Sequence, residues 1–314
     1  MRKPVKVKFV DFWTKDVEII WLYHILKKHF NVEFSDEPDV LVYSVFGYEH
    51  LNYNCKKICF ITENTIPDYS YCDYSIGFNY DESNPRHLRY PLFLFYKDVN
   101  ELIKTKTITT EDIIHKDKFC VFIVSNPKAN ERKEFFTQLN EIKRVDSAGK
   151  VLNNMPDNWQ LPDGEKLNFL KRYRFNIAFE NSSAPGYTTE KIFEPMFYET
   201  IPIYWGDPLV YRDFNPRSFI NVMDYPDYKS IIDYVMEVEN NQDLYLKILN
   251  EPLLVGNVVP EHLKFDRLLE FLERALYEKI APVSQKPKYI LSKAKMKTQM
   301  LQEQVAAKLR SITK

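Results

Sequence analysis

One stretch, residues 175–208 (F-N-I-A-F-E-N-S-S-A-P-G-Y-T-T-E-K-I-F-E-P-M-F-Y-E-T-I-P-I-Y-W-G-D-P), limits what this chain can fold into more than any other. An apolar run at 175–179 reads as a strand, and 180–187 as a polar loop with Asn, Ser, Pro and Gly. A helix starts near Thr188, and 201–205 is a second strand closed by Gly206. Strand, loop, helix and strand in that order make a parallel crossover, which places the loop at the carboxyl edge of a sheet, where α/β proteins bind ligands. Lys191 falls in the first helical turn, where the dipole disfavours a cation by ~0.3–1 kcal/mol. A lysine set against the dipole signals a nearby anion, such as a phosphate.

The same rhythm runs through the first third. Strands are expected at 5–13, 32–34, 40–46, 58–62 and 74–78, with an amphipathic helix at 17–30. After a polar, Thr/Lys-rich passage, a strand at 119–125 and a helix at 131–142 open a second alternating region. Helices are expected at 166–173, 228–238, 244–249 and 265–279, and a short strand at 219–222. The expected fold class is therefore α/β, with two Rossmann-like domains facing a cleft. The boundaries read as an N-terminal domain at 1–100, a linker at 101–118, a C-terminal domain at 119–285 and a basic tail at 286–314.

A length of 314 residues supplies two domains, and 45% apolar content excludes a disordered chain. A net charge of −1 gives no overall field to recruit nucleic acid. The charge is uneven, with the tail at +7 and the rest at −8. No apolar h-region follows Met1, and no apolar run approaches 18 residues, so a cytoplasmic protein is expected. Cys55, Cys59, Cys72 and Cys120 form no C-x-x-C pair and read as reduced, buried thiols rather than a zinc site.

A second strand–helix junction repeats the anomaly. Asn130 is placed as an N-cap, which sets Arg132 and Lys133 in the first turn of the following helix. An isolated case would be a solvated basic turn, but a diphosphate would satisfy both junctions. Neither G-x-G-x-x-G nor G-x-x-x-x-G-K-[ST] occurs, so no dinucleotide fingerprint or P-loop is present. D-x-D is also missing, and side-chain cations can neutralise a departing diphosphate in place of a metal clamp. Gly186 and Gly206 are placed to allow close backbone approach.

These motifs together resemble the α-1,3-fucosyltransferases, glycosyltransferase family 10, of the bacterial Lewis-antigen type. F-E-N-S-x-x-x-x-Y-x-T-E-K, closed by I-P-I-Y-W-G, is similar to the family's donor-binding signature. V-S-N-P-K-A-N-E-R at 124–132 resembles its S-N-x-x-x-x-x-R block, and V-D-S-A-G-K at 145–150 its V-D-x-x-G-K. F-I-T-E-N at 60–64, with C-D-Y-S-I-G-F at 72–78, is similar to the acceptor-side segment. The resemblance implies a GT-B fold and inverting transfer of L-fucose from GDP-fucose to the GlcNAc 3-OH of lactosamine-type glycans, building Lewis-type structures, as on lipopolysaccharide O-antigen. It implies Glu63 as general base and Arg132 and Lys191 on the diphosphate. Asn181, Tyr187 and Glu190 are implied on the nucleoside and fucose side. No metal ligand and no required cofactor are implied, and stimulation by a divalent cation is left open.

Each residue has a plainer reading. For Glu63 it is a capping or surface carboxylate, Tyr187 and Trp205 serve equally as core aromatics, and Glu180 competes as the catalytic carboxylate although its place inside the donor motif favours orienting the loop. Pro195 departs from the family pattern and is expected to kink its helix. Acceptor choice is expected in loops such as 47–54 and 79–87. For the tail 288–314, peripheral contact with an anionic membrane at the inner face of the cytoplasmic membrane stands beside a solvated or coiled-coil helix. Two rival functions remain: a transferase of the same fold with another nucleotide-sugar donor, and a GDP-sugar-binding protein without catalysis.

Overall fold

The computed structural model describes residues 3–105, 107–126, 130–162, 165–296 and 298. It forms two units, Met1–Tyr90 with Phe265–Lys314, and Pro91–Lys264. The first unit holds β1 (Val5–Val10), α1 (Trp21–His29), β2 (Val32–Phe34), β3 (Val40–Tyr43), β4 (Lys56–Phe60), β5 (Tyr74–Gly77) and β6 (His87–Arg89). Their sheet runs β2-β1-β3-β4-β5-β6 with every neighbouring pair parallel. β3 and β4 are buried at every position, as befits strands covered on both faces.

The second unit begins with α2 (Phe93–Tyr96) and continues with β7 (Lys118–Phe122), α3 (Asn130–Ile142), β8 (Val145–Ser147), α4 (Lys166–Leu170) and β9 (Tyr173–Phe179). α5 (Glu190–Met196), β10 (Ile201–Trp205), β11 (Ile220–Asn221), α6 (Tyr228–Asn240) and α7 (Gln242–Asn250) complete it. This sheet runs β11-β10-β9-β7-β8, again parallel throughout. Counted from its own first strand, the order is 2-1-3-4-5, and the first sheet repeats it with one strand added. Both sheets therefore change direction at one place, between β1 and β3 and between β7 and β9.

The expected boundaries differ from these in two places. Residues 91–118, read as the last of the first domain and a linker, group with the second unit and contain α2 and two 3-10 turns. The helix α8 (Phe265–Tyr277), expected within the second domain, groups with the first unit. Side chains of β4 and β5 explain the second shift. Lys56 Nζ donates to the carbonyls of Leu276 and Glu278, 2.9 Å each, at the helix's C-terminal end. The Asp73 carboxylate takes the Val283 amide at 2.7 Å, and the Tyr74 and Phe271 rings pack edge to face. Lys57 is also buried, its amine on the Tyr53 carbonyl at 2.6 Å, so β4 begins two residues before the apolar run shows it. Residues 287–296 are helical, and the expected tail helix beyond residue 298 lies outside the described residues.

Lys116 holds the opposite edge of the second sheet from its loops. It is buried, and its amine reaches the carbonyls of Lys171 (3.0 Å), Tyr173 (3.0 Å) and Tyr198 (2.6 Å) and the Thr200 hydroxyl (3.0 Å). Lys116→Met leaves those buried acceptors short of a donor at a cost of about 3 kcal/mol. Thermal unfolding should show a Tm lower by roughly 6–12 °C, with GDP affinity of the folded protein unchanged. An unchanged Tm would show that these bonds carry no net stability.

Candidate active site

A cavity of about 230 Å³ opens at the carboxyl ends of β7 and β9, where the second sheet reverses its strand order. Its walls are residues 123–126 leaving β7, the last residues of β9, and the side chains of Arg132, Lys166, Asn181, Glu190 and Lys191. Each wall follows from the local sequence. The run C-V-F-I-V buries in the sheet and stops at Ser125-Asn126, after which α3 carries Arg132 in its first turn. β9 stops at Phe179, and the loop from Glu180 returns to α5 with Lys191 as its second residue. Arg132 and Lys191, expected to share a site, line the same cavity.

The two cations are held differently. Arg132 is 2% exposed; its Nε donates to the Glu180 carbonyl at 3.0 Å and an NH2 to Asn181 Oδ1 at 2.6 Å. Burial draws its guanidinium pKa down from the ordinary value. Lys191 Nζ lies 3.3 Å from Glu180 Oε2, 3.3 Å from Glu190 Oε1 and 2.9 Å from the Thr189 hydroxyl. Burial opposes its charge, but Glu180 and Glu190 prevail and raise its pKa above the usual lysine value. The cation set against the dipole is therefore already balanced by two carboxylates, and its position alone does not require a phosphate.

Glu180 is fully buried, and its carboxylate accepts from the Thr189 amide (2.7 Å) and hydroxyl. Burial raises its pKa, with Lys191 pulling the other way. Those bonds make it the brace of the loop rather than a group open to substrate. Glu190 is moved the other way: burial would raise it, but Lys191 and Lys166 hold it below the usual value. Tyr187, the last residue of the loop, is buried and does not line the cavity. Pro195 ends α5 one residue later instead of kinking a longer helix.

Glycines set the loop's position. A Cβ at Gly206 would stand 2.4 Å from Glu180 Cγ, so only glycine lets β10 end against that carboxylate. Gly186 serves conformation instead, with φ of +86° and its amide on Asp207 Oδ1 at 2.7 Å. Asp207 also takes the Thr188 hydroxyl at 2.9 Å and the Leu209 amide at 2.7 Å. A Cβ at Gly149 would meet the Val124 carbonyl oxygen at 2.4 Å, so the V-D-S-A-G-K segment lies directly behind the cavity wall.

Two residues that matter here were missed in the sequence. Asp207 carries no charge anomaly and is visible only through its bonds. Lys166 was detectable, because it opens α4 as Lys191 and Arg132 sit near the starts of theirs. It lines the cavity and pairs with the Glu194 carboxylate, making a third cation there.

In the first unit, Glu63 follows β4 by three residues and is exposed at the carboxyl edge of the sheet, with the Thr65 amide on its carbonyl at 2.7 Å. All four cysteines are free thiols. Among the described residues, no helix is long and apolar enough to cross a membrane, and no three His, Cys, Asp or Glu side chains are grouped to share a metal ion.

Residues 7–96 match the family model of the alpha-(1,3)-fucosyltransferase FucT N-terminal domain, and residues 113–250 that of the C-terminal region of glycosyltransferase family 10 (fucosyltransferase). The chain is 32% identical over 321 residues to an alpha-(1,3)-fucosyltransferase of Helicobacter pylori, an alignment covering 87% of this chain and 66% of that protein. It is 34% identical over 124 residues to alpha-(1,3)-fucosyltransferase B of Drosophila melanogaster, covering 36% of this chain and 28% of that one. The chain thus spans two thirds or less of these relatives' lengths. A crystal structure of an alpha1,3-fucosyltransferase with GDP superposes with a TM-score of 0.75 at 30% identity, covering 90% of this chain and 93% of that one. One with GDP-fucose gives 0.74 at 27% identity, covering 90% and 93%.

Proposed function

The chain belongs to the fucosyltransferases of glycosyltransferase family 10, and from that premise we propose that it transfers L-fucose from GDP-fucose, with inversion, to the 3-OH of GlcNAc in a lactosamine-type glycan. The observation that carries this reading is the cavity shared by Arg132 and Lys191 at the reversal point of the second sheet. In one displacement, the acceptor oxygen forms a bond to fucose C1 as the bond from C1 to the diphosphate oxygen breaks. The proton passes to Glu63, and the electron pair leaves with GDP. Arg132 and Lys191, both fixed before substrate arrives, meet the charge that appears on the leaving diphosphate. Asn181 orients Arg132, and Glu190 keeps Lys191 charged.

Mixing the protein with GDP-fucose and N-acetyllactosamine should release GDP and yield a fucosylated trisaccharide whose linkage NMR identifies. Turnover of another nucleotide sugar in its place would overturn the donor assignment. GDP binding without product would leave a binding protein. Product formation in excess chelator supports the two cations as the groups that carry the leaving diphosphate. Acceptors ending in lipid-linked glycan, with the basic tail on the membrane surface, are part of the same proposal and are tested by vesicle co-sedimentation.

A further inference from the structure

The cavity of the second unit is served by as many carboxylates as cations. Arg132, Lys166 and Lys191 bring three positive charges to it and Glu190 one negative, while Glu180 and Glu194 stand next to it, each paired with one of the lysines. These six charges cancel, whereas the diphosphate of a nucleotide sugar carries two negative charges. A neutral cluster draws such an anion weakly unless one carboxylate gives up its cation as the anion enters.

The three carboxylates differ in how firmly they are held. Glu180 is fully buried and takes the Thr189 amide and hydroxyl as well as Lys191. Glu190 lies 3.3 Å from Lys191, and against the cost of burial both Lys191 and Lys166 favour its charge. Glu194, one turn further along α5, bonds to Lys166, and burial pushes its carboxyl above the usual value in spite of that partner. The cations differ in the same way. Arg132 is fixed by Glu180 and Asn181, and Lys191 by Glu180, Thr189 and Glu190. The Lys166 side chain is 34% exposed and pairs with Glu194, and its flexible four-carbon stem lets the ammonium swing. Only the side chain needs to move, because Leu170 of α4 is fully buried and the Phe169 ring lies 5.1 Å from that of Tyr173.

We infer that Lys166 and Glu194 form a counter-ion exchange in the donor site: the diphosphate takes Lys166 from Glu194, so Lys166 strengthens donor binding and Glu194 weakens it. Glu194 recovers Lys166 as the nucleotide departs, which speeds release. The inference rests on the proposed reading for the identity of the donor, GDP-fucose, and the experiment separates the two. The whole chain is titrated calorimetrically with GDP-fucose, with guanosine as the phosphate-free control and thermal unfolding as the check on the fold. Lys166→Met should weaken GDP-fucose binding about tenfold, the worth of one hydrogen bond to a charged group, and leave guanosine binding unchanged. Glu194→Gln should tighten GDP-fucose binding by about three- to tenfold, because Lys166 no longer has a carboxylate to leave. The double variant should bind as weakly as Lys166→Met, since Glu194 acts through Lys166, and Lys166→Arg should stay within a few-fold of wild type. The opposite signs are diagnostic: a pair that serves only the fold would lower thermal stability in both variants at equal affinity, and that result would overturn the exchange. If Lys166→Met does not fold, Glu194→Gln decides, and equal or weaker binding in it would overturn the exchange. Unaltered affinity in Lys166→Met, with fucose transfer intact, would overturn the inference and spare the transferase. Opposite shifts in a protein that binds GDP-fucose but never transfers fucose would uphold the exchange and overturn the transferase reading.

Discussion

Replacing Glu63 by glutamine should lower turnover by about 10²–10⁴-fold, the usual worth of a general base, and leave GDP affinity as it is. Glutamine keeps the shape and the hydrogen-bonding reach of the side chain and removes only the capacity to accept the acceptor's proton. Glu63 lies at the exposed carboxyl edge of the first sheet, so the proton it takes can pass on to water. The competing carboxylate is Glu180, and its buried bonds to Thr189 and Lys191 predict a different outcome. Glu180→Gln should disturb the donor loop and weaken GDP binding together with turnover. Steady-state kinetics paired with calorimetric GDP titration distinguishes the two, and turnover within a few-fold of wild type in Glu63→Gln would remove that residue from the mechanism.

Lys191→Ala should lower turnover by about 10²–10³-fold, the scale of losing one preorganised charge partner of a transition state, and should also destabilise the second unit. The second effect arises because Glu180 is fully buried and loses its cation; stranding one member of a buried pair costs about 3–5 kcal/mol. The effects separate in a double variant. Adding Glu180→Gln removes the stranded charge, so thermal stability should largely return while turnover stays low. Turnover in the double variant equal to that of Glu180→Gln alone would mean that Lys191 serves only the fold. Calorimetric unfolding and single-turnover kinetics on the same samples decide the matter.

Alternating apolar runs made both parallel sheets legible, because strands covered on two faces leave little choice of residue. The junctions around Arg132 and Lys191 were legible too, since a base in the first turn of a helix is a local anomaly. Less was visible where burial and composition disagree. β4 opens with two lysines whose amines are satisfied by backbone carbonyls, for Lys56 by carbonyls more than two hundred positions away. β6 (His-Leu-Arg) and β8 (Val-Asp-Ser) hold one apolar residue each, so neither shows as an apolar run. Lys166 opens α4 as Lys191 and Arg132 sit near the starts of theirs, but its place on the cavity depends on α4 lying beside α5.

By itself the sequence determined the strand–helix alternation, the chemical types gathered in the F-E-N-S to T-E-K segment, and through them the family. Tertiary structure alone decided that α8 belongs with the first sheet and that Lys191 is balanced by Glu180 and Glu190. Local order follows from neighbours along the chain, which sequence records. Charge balance depends on how a loop turns the Glu180 and Glu190 side chains toward Lys191, and the place of α8 on bonds to Lys56 from more than two hundred positions away, and only folding makes either arrangement.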